Sequence, residues 1–137
     1  MPRIIAIDYG KRRCGLAVTD PLQLIAGGLT TVSTKELMPF LTDYFQKEEV
    51  CRLVIGYPLN SYGGATDSTP LIDEFLATFA KKFPQMPITK IDEAFTSQEA
   101  VAAMIAGGLK KKKRRNKAQV DKISATLILQ RYMEQNS

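Results

Sequence analysis

The chain has 137 residues, 45% hydrophobic and 24% charged, with 19 Lys+Arg against 14 Asp+Glu, two Cys and no His. That length and composition fit one globular domain spanning 1–137 with room for a substantial core. The missing histidine excludes Ser-His and Cys-His nucleophile pairs, His-ligated zinc and imidazole acid–base work, and two cysteines cannot make a four-thiolate metal site. Catalysis must then run on carboxylates, lysine, hydroxyls or a metal held by oxygen ligands.

Residues 3–9 (RIIAIDY) form an apolar, β-branched run that stops at Gly10-Lys11-Arg12, and 14–19 (CGLAVT) follow at once, so the pair reads as a hairpin. Asp8 breaks the opening run too early for a signal-peptide core, and no later stretch approaches the ~20 apolar residues of a membrane span. The expectation is a soluble, cytoplasmic protein without membrane contact. After Asp20-Pro21, residues 27–32 offer a third strand. Ser33 or Thr34 is placed to cap a helix to about Glu49, with Leu37, Leu41, Tyr44 and Phe45 on one face and Pro39 in its opening turn or at a kink. Residues 51–55 read as a strand buried on both faces, ending in Gly56-Tyr57-Pro58 and a polar loop. Thr69-Pro70 starts a helix whose stripe is Leu71, Ile72, Phe75, Leu76, Phe79, Ala80 and Phe83. Residues 88–91 form a further strand closing on Asp92-Glu93. A helix from Thr96 or Ser97 to about Ala106 stops at Gly107-Gly108, and a last helix runs over about 118–134. Three strands joined directly give an antiparallel half, and strands alternating with helices give a parallel half, so the fold class is a mixed-sheet α/β domain. Cys14 and Cys51 sit in apolar runs and read as small hydrophobes.

The net charge of +5 is concentrated. Lys110, Lys111, Lys112, Lys113, Arg114, Arg115 and Lys117 carry seven of the 19 positive charges, leaving 12 against 14 acids and a net −2 elsewhere. Such a run is either a solvated, self-repelling loop or a surface for a phosphate backbone. With its Gly-Gly lead-in, the 107–117 segment is expected to be mobile.

Acids at three places in the chain stand where packing alone does not require them. Asp8 ends the first strand on the side of Ile4 and Ala6, where a charge needs a partner, a hydrogen-bonded turn or a cation. Asp92-Glu93 ends a strand of the parallel half, the end at which ligands gather in such sheets, although acids before a helix cap also suit the helix dipole. Asp121 heads the apolar stripe of Ala125, Ile128 and Tyr132, where the helix N-terminus is the simpler explanation and a cation beside a basic loop the functional one. Carboxylates from separate elements at one sheet edge are what Mg2+ or Mn2+ requires. Two such ions roughly 3.5–4 Å apart can flank an in-line attack on a phosphodiester without any histidine.

Four segments then carry a resemblance: Asp8-x-Gly10-x-x-Arg13-x-Gly15-x-Ala17, Val54 to Asn60 (VIGYPLN), Asp92 to Ser97 (DEAFTS), and Asp121-Lys122-Ile123-Ser124-Ala125 preceding Leu129-Gln130-Arg131-Tyr132. Together they resemble the YqgF family of RNase H-like nucleases, also called RuvX or Holliday junction resolvase-like, in order from residue 3 to about 134. The resemblance implies an RNase H-like mixed five-stranded sheet flanked by helices and a hydrolase acting on phosphodiester bonds with one or two Mg2+ or Mn2+ ions. It implies a role in trimming the 5′ end of precursor 16S rRNA, with resolution of Holliday junctions or other branched DNA as the alternative. The partners implied are structured RNA or branched DNA, with ribosomal particles, for a monomer or weak homodimer. By position Asp8, Glu93 and Asp121 match the family's acidic catalytic trio, with Asp92 as a further metal-ligand candidate. Arg13 and the Lys110–Lys117 basic residues would meet nucleic acid. The chain departs from the family pattern at Ala94, usually Arg, at Tyr57, usually Leu, and at Ser124, commonly Ala.

Two other classes fit parts of the chain. A nucleic-acid-binding assembly factor with a vestigial metal site is favoured by Ala94, which removes a bidentate phosphate contact. The Asp-x-Gly hairpin also begins the sugar-kinase and actin-type ATPases, but those need two such domains around a cleft.

Overall fold

The computed structural model describes residues 2–57, 69–92 and 117–136. Five strands, β1 (Arg3–Asp8), β2 (Arg13–Thr19), β3 (Ala26–Ser33), β4 (Val50–Tyr57) and β5 (Ile88–Asp92), make one sheet in the order β3-β2-β1-β4-β5. The hairpin β1–β2 and the pair β2–β3 are antiparallel, whereas β1–β4 and β4–β5 are parallel. The mixed sheet expected from the chain order is thus the one observed. The parallel pairings follow from α1 (Leu37–Lys47) and α2 (Thr69–Lys82), each of which carries the chain back over the sheet before the next strand. A third described helix, α3 (Lys117–Gln135), follows β5 in the chain.

The sheet is buried on both sides, and alternation sorts its residues. Ile5, Ile7, Cys14, Leu16, Leu53 and Ile55 face α1 and α2, packing on Leu37, Leu41, Ile72, Phe75, Leu76 and Phe79. Ile4, Ala6, Ala17, Val54 and Ile91 face α3, meeting Ala125, Ile128 and Leu129. The first cluster is rich in long aliphatic and aromatic side chains; the second is thin, built from alanine and branched residues.

Two local readings change. No side-chain cap precedes α1: a 3-10 turn, Thr34–Glu36, leads into it, and neither Ser33 nor Glu36 makes a capping hydrogen bond. The Thr34 hydroxyl instead donates to the Gly10 carbonyl at 2.7 Å, and its amide donates to Arg12 O at 3.0 Å. It therefore braces the β1–β2 turn rather than the helix. Pro39 falls in the opening turn of α1, where a missing amide breaks no helical hydrogen bond. In α2, Ile72, Phe75, Leu76 and Phe79 are buried as the stripe predicts, but Ala80 is exposed. The helix expected from Thr96 or Ser97 to Ala106 and the 107–116 segment lie outside the described residues.

Candidate active site

Asp8 is the last residue of β1 and shares the α3 side with Ile4 and Ala6. Its partner across the hairpin is Gly15. A Cβ on Gly15 would lie 2.0 Å from the Asp121 carbonyl oxygen and 2.9 Å from the Lys122 nitrogen. The opening turns of α3 therefore rest on bare strand backbone, and only glycine permits that approach. Asp121 is in this way set beside the residue paired with Asp8. A second glycine extends the contact: a Cβ on Gly28 of β3 would sit 2.8 Å from Lys122 Cγ, so the lysine stem lies flat along the strand.

Asp121 is held by a cation. Arg13, the first residue of β2, donates from Nε to Asp121 Oδ2, with side-chain exposures of 35% and 21% for the two residues. At that exposure the pair contributes on the order of 1 kcal/mol or less to stability. Its importance is positional. Arg13 and Asp121 also line a groove of about 340 Å3 with Gly10, Lys11 and Arg12, so three basic residues share the acid's groove at the β1–β2 turn. Next to Arg13, Cys14 is fully buried, and burial pushes its thiol pKa up. The negative charges of Asp8 and Asp121 push it further the same way, against hydrogen bonds at Gly10 and Thr34 that lower it. One thiol thus feels both carboxylates, while remaining the small hydrophobe expected of it.

Asp92 is placed differently. It pairs with Tyr57 across β4–β5, and Tyr57 packs in the α1/α2 cluster, whereas Ile91 packs under α3. Alternation thus puts Asp92 on the side away from Asp8 and Asp121, so the sheet does not bring it into their company. Its carbonyl accepts a hydrogen bond from Arg131 Nη1 at 2.9 Å, tying the end of β5 to α3. Tyr57, the departure from the family's leucine, donates to Asp73 Oδ1 at 2.8 Å and lies 4.3 Å beneath the Lys90 ammonium, on the same far side. The hydrogen bond to Asp73 pushes its phenol pKa up. Glu93, Ala94, Lys110, Lys111, Lys112, Lys113, Arg114 and Arg115 lie outside the described residues, and Lys117 opens α3.

Among the described residues no group of three or more acids or cysteines gathers around a metal position. Asp8 and Asp121 nevertheless supply hard oxygen donors, Asp121 as the ion-pair partner of Arg13. That donor chemistry fits Mg2+ or Mn2+ rather than a soft metal. Sequence reading did not find the structural part of Gly15 or the tie made by Arg131. A glycine inside a strand pattern is the signal that could have found the first; nothing local announces the second.

A family model described as "RuvX: Holliday junction resolvase" matches residues 2–135. A protein of Christiangramia forsetii named "Putative pre-16S rRNA nuclease" is 56% identical over 133 residues, covering 97% of this chain and 98% of that protein. A protein of the same name from Bacteroides thetaiotaomicron is 52% identical over 134 residues, covering 98% and 97%. Among solved structures, Thermus thermophilus RuvC in complex with a Holliday junction substrate aligns at TM-score 0.57 and 15% identity, covering 98% of this chain and 96% of that one. The fowlpox virus resolvase bound to Holliday junction DNA aligns at TM-score 0.58 and 12% identity, covering 98% of each chain. The two structures share the fold, and with the match over 2–135 and the near-complete relatives the conclusion is direct: the chain belongs to the RuvX family of RNase H-like nucleases, hydrolases of nucleic-acid ester bonds.

Proposed function

We propose that this chain, as one RNase H-like domain over residues 1–137, is a divalent-metal-dependent nuclease that trims the 5′ end of precursor 16S rRNA. It does so in the cytoplasm, on ribosomal precursor particles, as a monomer or weak homodimer. The observation that supports the chemistry is the backbone contact that sets Asp121 of α3 against Gly15, the residue paired with Asp8, beside a basic groove. The choice of RNA rests on relatives about half identical over nearly their whole length that bear a pre-16S rRNA name.

Asp8 and Asp121 would hold the cation, with Glu93 as the third carboxylate. Asp92 faces the other side of the sheet, which leaves this strand end's part to its neighbour. A bound Mg2+ or Mn2+ supplies Lewis-acid activation of water and of the phosphodiester at neutral pH. The chain's own residues do the rest. β1 and β2 fix Asp8 as a hairpin end, Thr34 braces the turn, and the Gly15 contact fixes Asp121 relative to it. Lys11, Arg12 and Arg13 at the groove, with the Lys110–Lys117 basic residues, attract and position the phosphate backbone.

Matched substrates test the reading. Purified protein with Mn2+ or Mg2+ is expected to shorten the 5′ end of a precursor 16S rRNA fragment and to leave a four-way DNA junction intact. Cutting of the junction alone would make the chain a resolvase instead. Binding without metal-dependent cutting of either would make it an assembly factor.

A further inference from the structure

In this structure the Arg13 guanidinium lies beside the Asp121 carboxylate as its ion-pair partner. The same side chain lines the groove with Gly10, Lys11 and Arg12, so it stands at once on the acid and at the surface where a phosphate would arrive. Arg13 is about one-third exposed and begins its strand directly after the turn, so rotation of its side chain alone can carry the guanidinium from one to the other.

We propose that Arg13 is an exchangeable counter-ion: it holds the Asp121 carboxylate while the site lacks metal, and moves to a substrate phosphate when a divalent cation takes that carboxylate. This rests on the metal-site reading given above. The exchange is favoured from both sides. A divalent cation attracts a carboxylate more strongly than a guanidinium does, and a guanidinium finds in a phosphate an acceptor that it can grip with two parallel hydrogen bonds. Arg13 is then a positioning residue whose partner differs between the metal-free and substrate-bound states. Metal and substrate become coupled, since each makes the other's arrival easier. A lysine carries the charge but not the planar fork, so it can perform the first part better than the second.

Calorimetric Mn2+ titration and RNA-binding measurements on wild type, Arg13→Gln, Arg13→Lys and Asp8→Asn test this, with thermal unfolding to establish that each variant folds. Arg13→Gln is expected to bind Mn2+ more tightly by about 3- to 10-fold, the size of one partly exposed ion pair removed as a competitor. Without metal its affinity for a stem–loop RNA of uncleavable backbone is expected to fall only slightly, through the loss of one positive charge at the groove. With Mn2+ present, its RNA affinity should fall by a factor on the order of 10. Arg13→Lys should resemble wild type in Mn2+ affinity and Arg13→Gln in RNA affinity. Unchanged or weaker Mn2+ binding by Arg13→Gln would mean that Arg13 only orients Asp121, and an RNA deficit equal with and without Mn2+ would mean that it never leaves; either overturns the proposal while the metal site stands. Wild-type protein that binds no Mn2+, or binds it equally after Asp8→Asn, overturns the metal site itself and the proposal with it.

Discussion

The two faces of the sheet are built on opposite plans. On the α1/α2 side, Phe45, Phe75, Phe79 and Phe83 form a chain of rings with centroids 5.0–6.2 Å apart, over Ile5, Ile7, Leu16 and Ile55. On the α3 side, Ala6, Ala17 and Ala125 keep the layer thin, and at Gly15 the helix backbone touches the strand directly. The first face maximises buried apolar area, and so stability. The second gives up side-chain volume so that the helix segment carrying Asp121 can lie against Gly15, the residue paired with Asp8. The candidate chemistry sits on the face with the least bulk.

That difference can be broken from either side. Phe79→Ala, in the thick layer, is expected to cost about 3–5 kcal/mol in denaturant unfolding. The surviving folded protein should keep its Mn2+ affinity, because the ring packs on Phe45, Phe75 and Phe83 on the face away from Asp8 and Asp121. Gly15→Ala, in the thin layer, forces a Cβ toward a carbonyl oxygen that cannot yield without moving α3. Its stability cost is expected to be smaller, about 1–3 kcal/mol, but its loss of metal binding and cleavage much larger. A Gly15→Ala protein that cuts as wild type does would show that the contact does not set the site.

Much of this arrangement is legible in the sequence, and the reasons for what is not are physical. The strands are short apolar runs ended by Gly, Pro or Asp, so all five were readable within a residue or two. The α2 stripe was readable because Ile72, Phe75, Leu76 and Phe79 repeat with the helix. The capping of α1 was misread because a hydroxyl has no directional preference visible in sequence, and Thr34 spends its own on Gly10, across the β1–β2 turn. Asp8 and Asp121 could be singled out by pattern, but Arg13 on Asp121 joins positions 108 residues apart. The side on which Asp92 lies depends on strand register, which pairs it with Tyr57. Composition alone carries neither.

A smaller effect sharpens the same contrast. Ser124 lies fully buried in α3, and among the described residues its hydroxyl is the buried side-chain polar atom without a hydrogen-bond partner. A buried donor left unmade is costly, whereas a methyl at this place suits a face made of alanines. Ser124→Ala is therefore expected to raise stability by about 1 kcal/mol in denaturant unfolding and to leave cleavage unchanged. Destabilisation would mean that the hydroxyl has a partner in solution.

The most direct measurement is cleavage of precursor 16S rRNA by Asp8→Asn and by Asp121→Asn, each with Mn2+ and each with its fold verified by thermal unfolding. Both changes keep the shape of the side chain and remove its charge. Each should lower the rate by at least a factor on the order of 100, with RNA binding largely retained. Cleavage at the wild-type rate by either variant would contradict a site built from these two carboxylates.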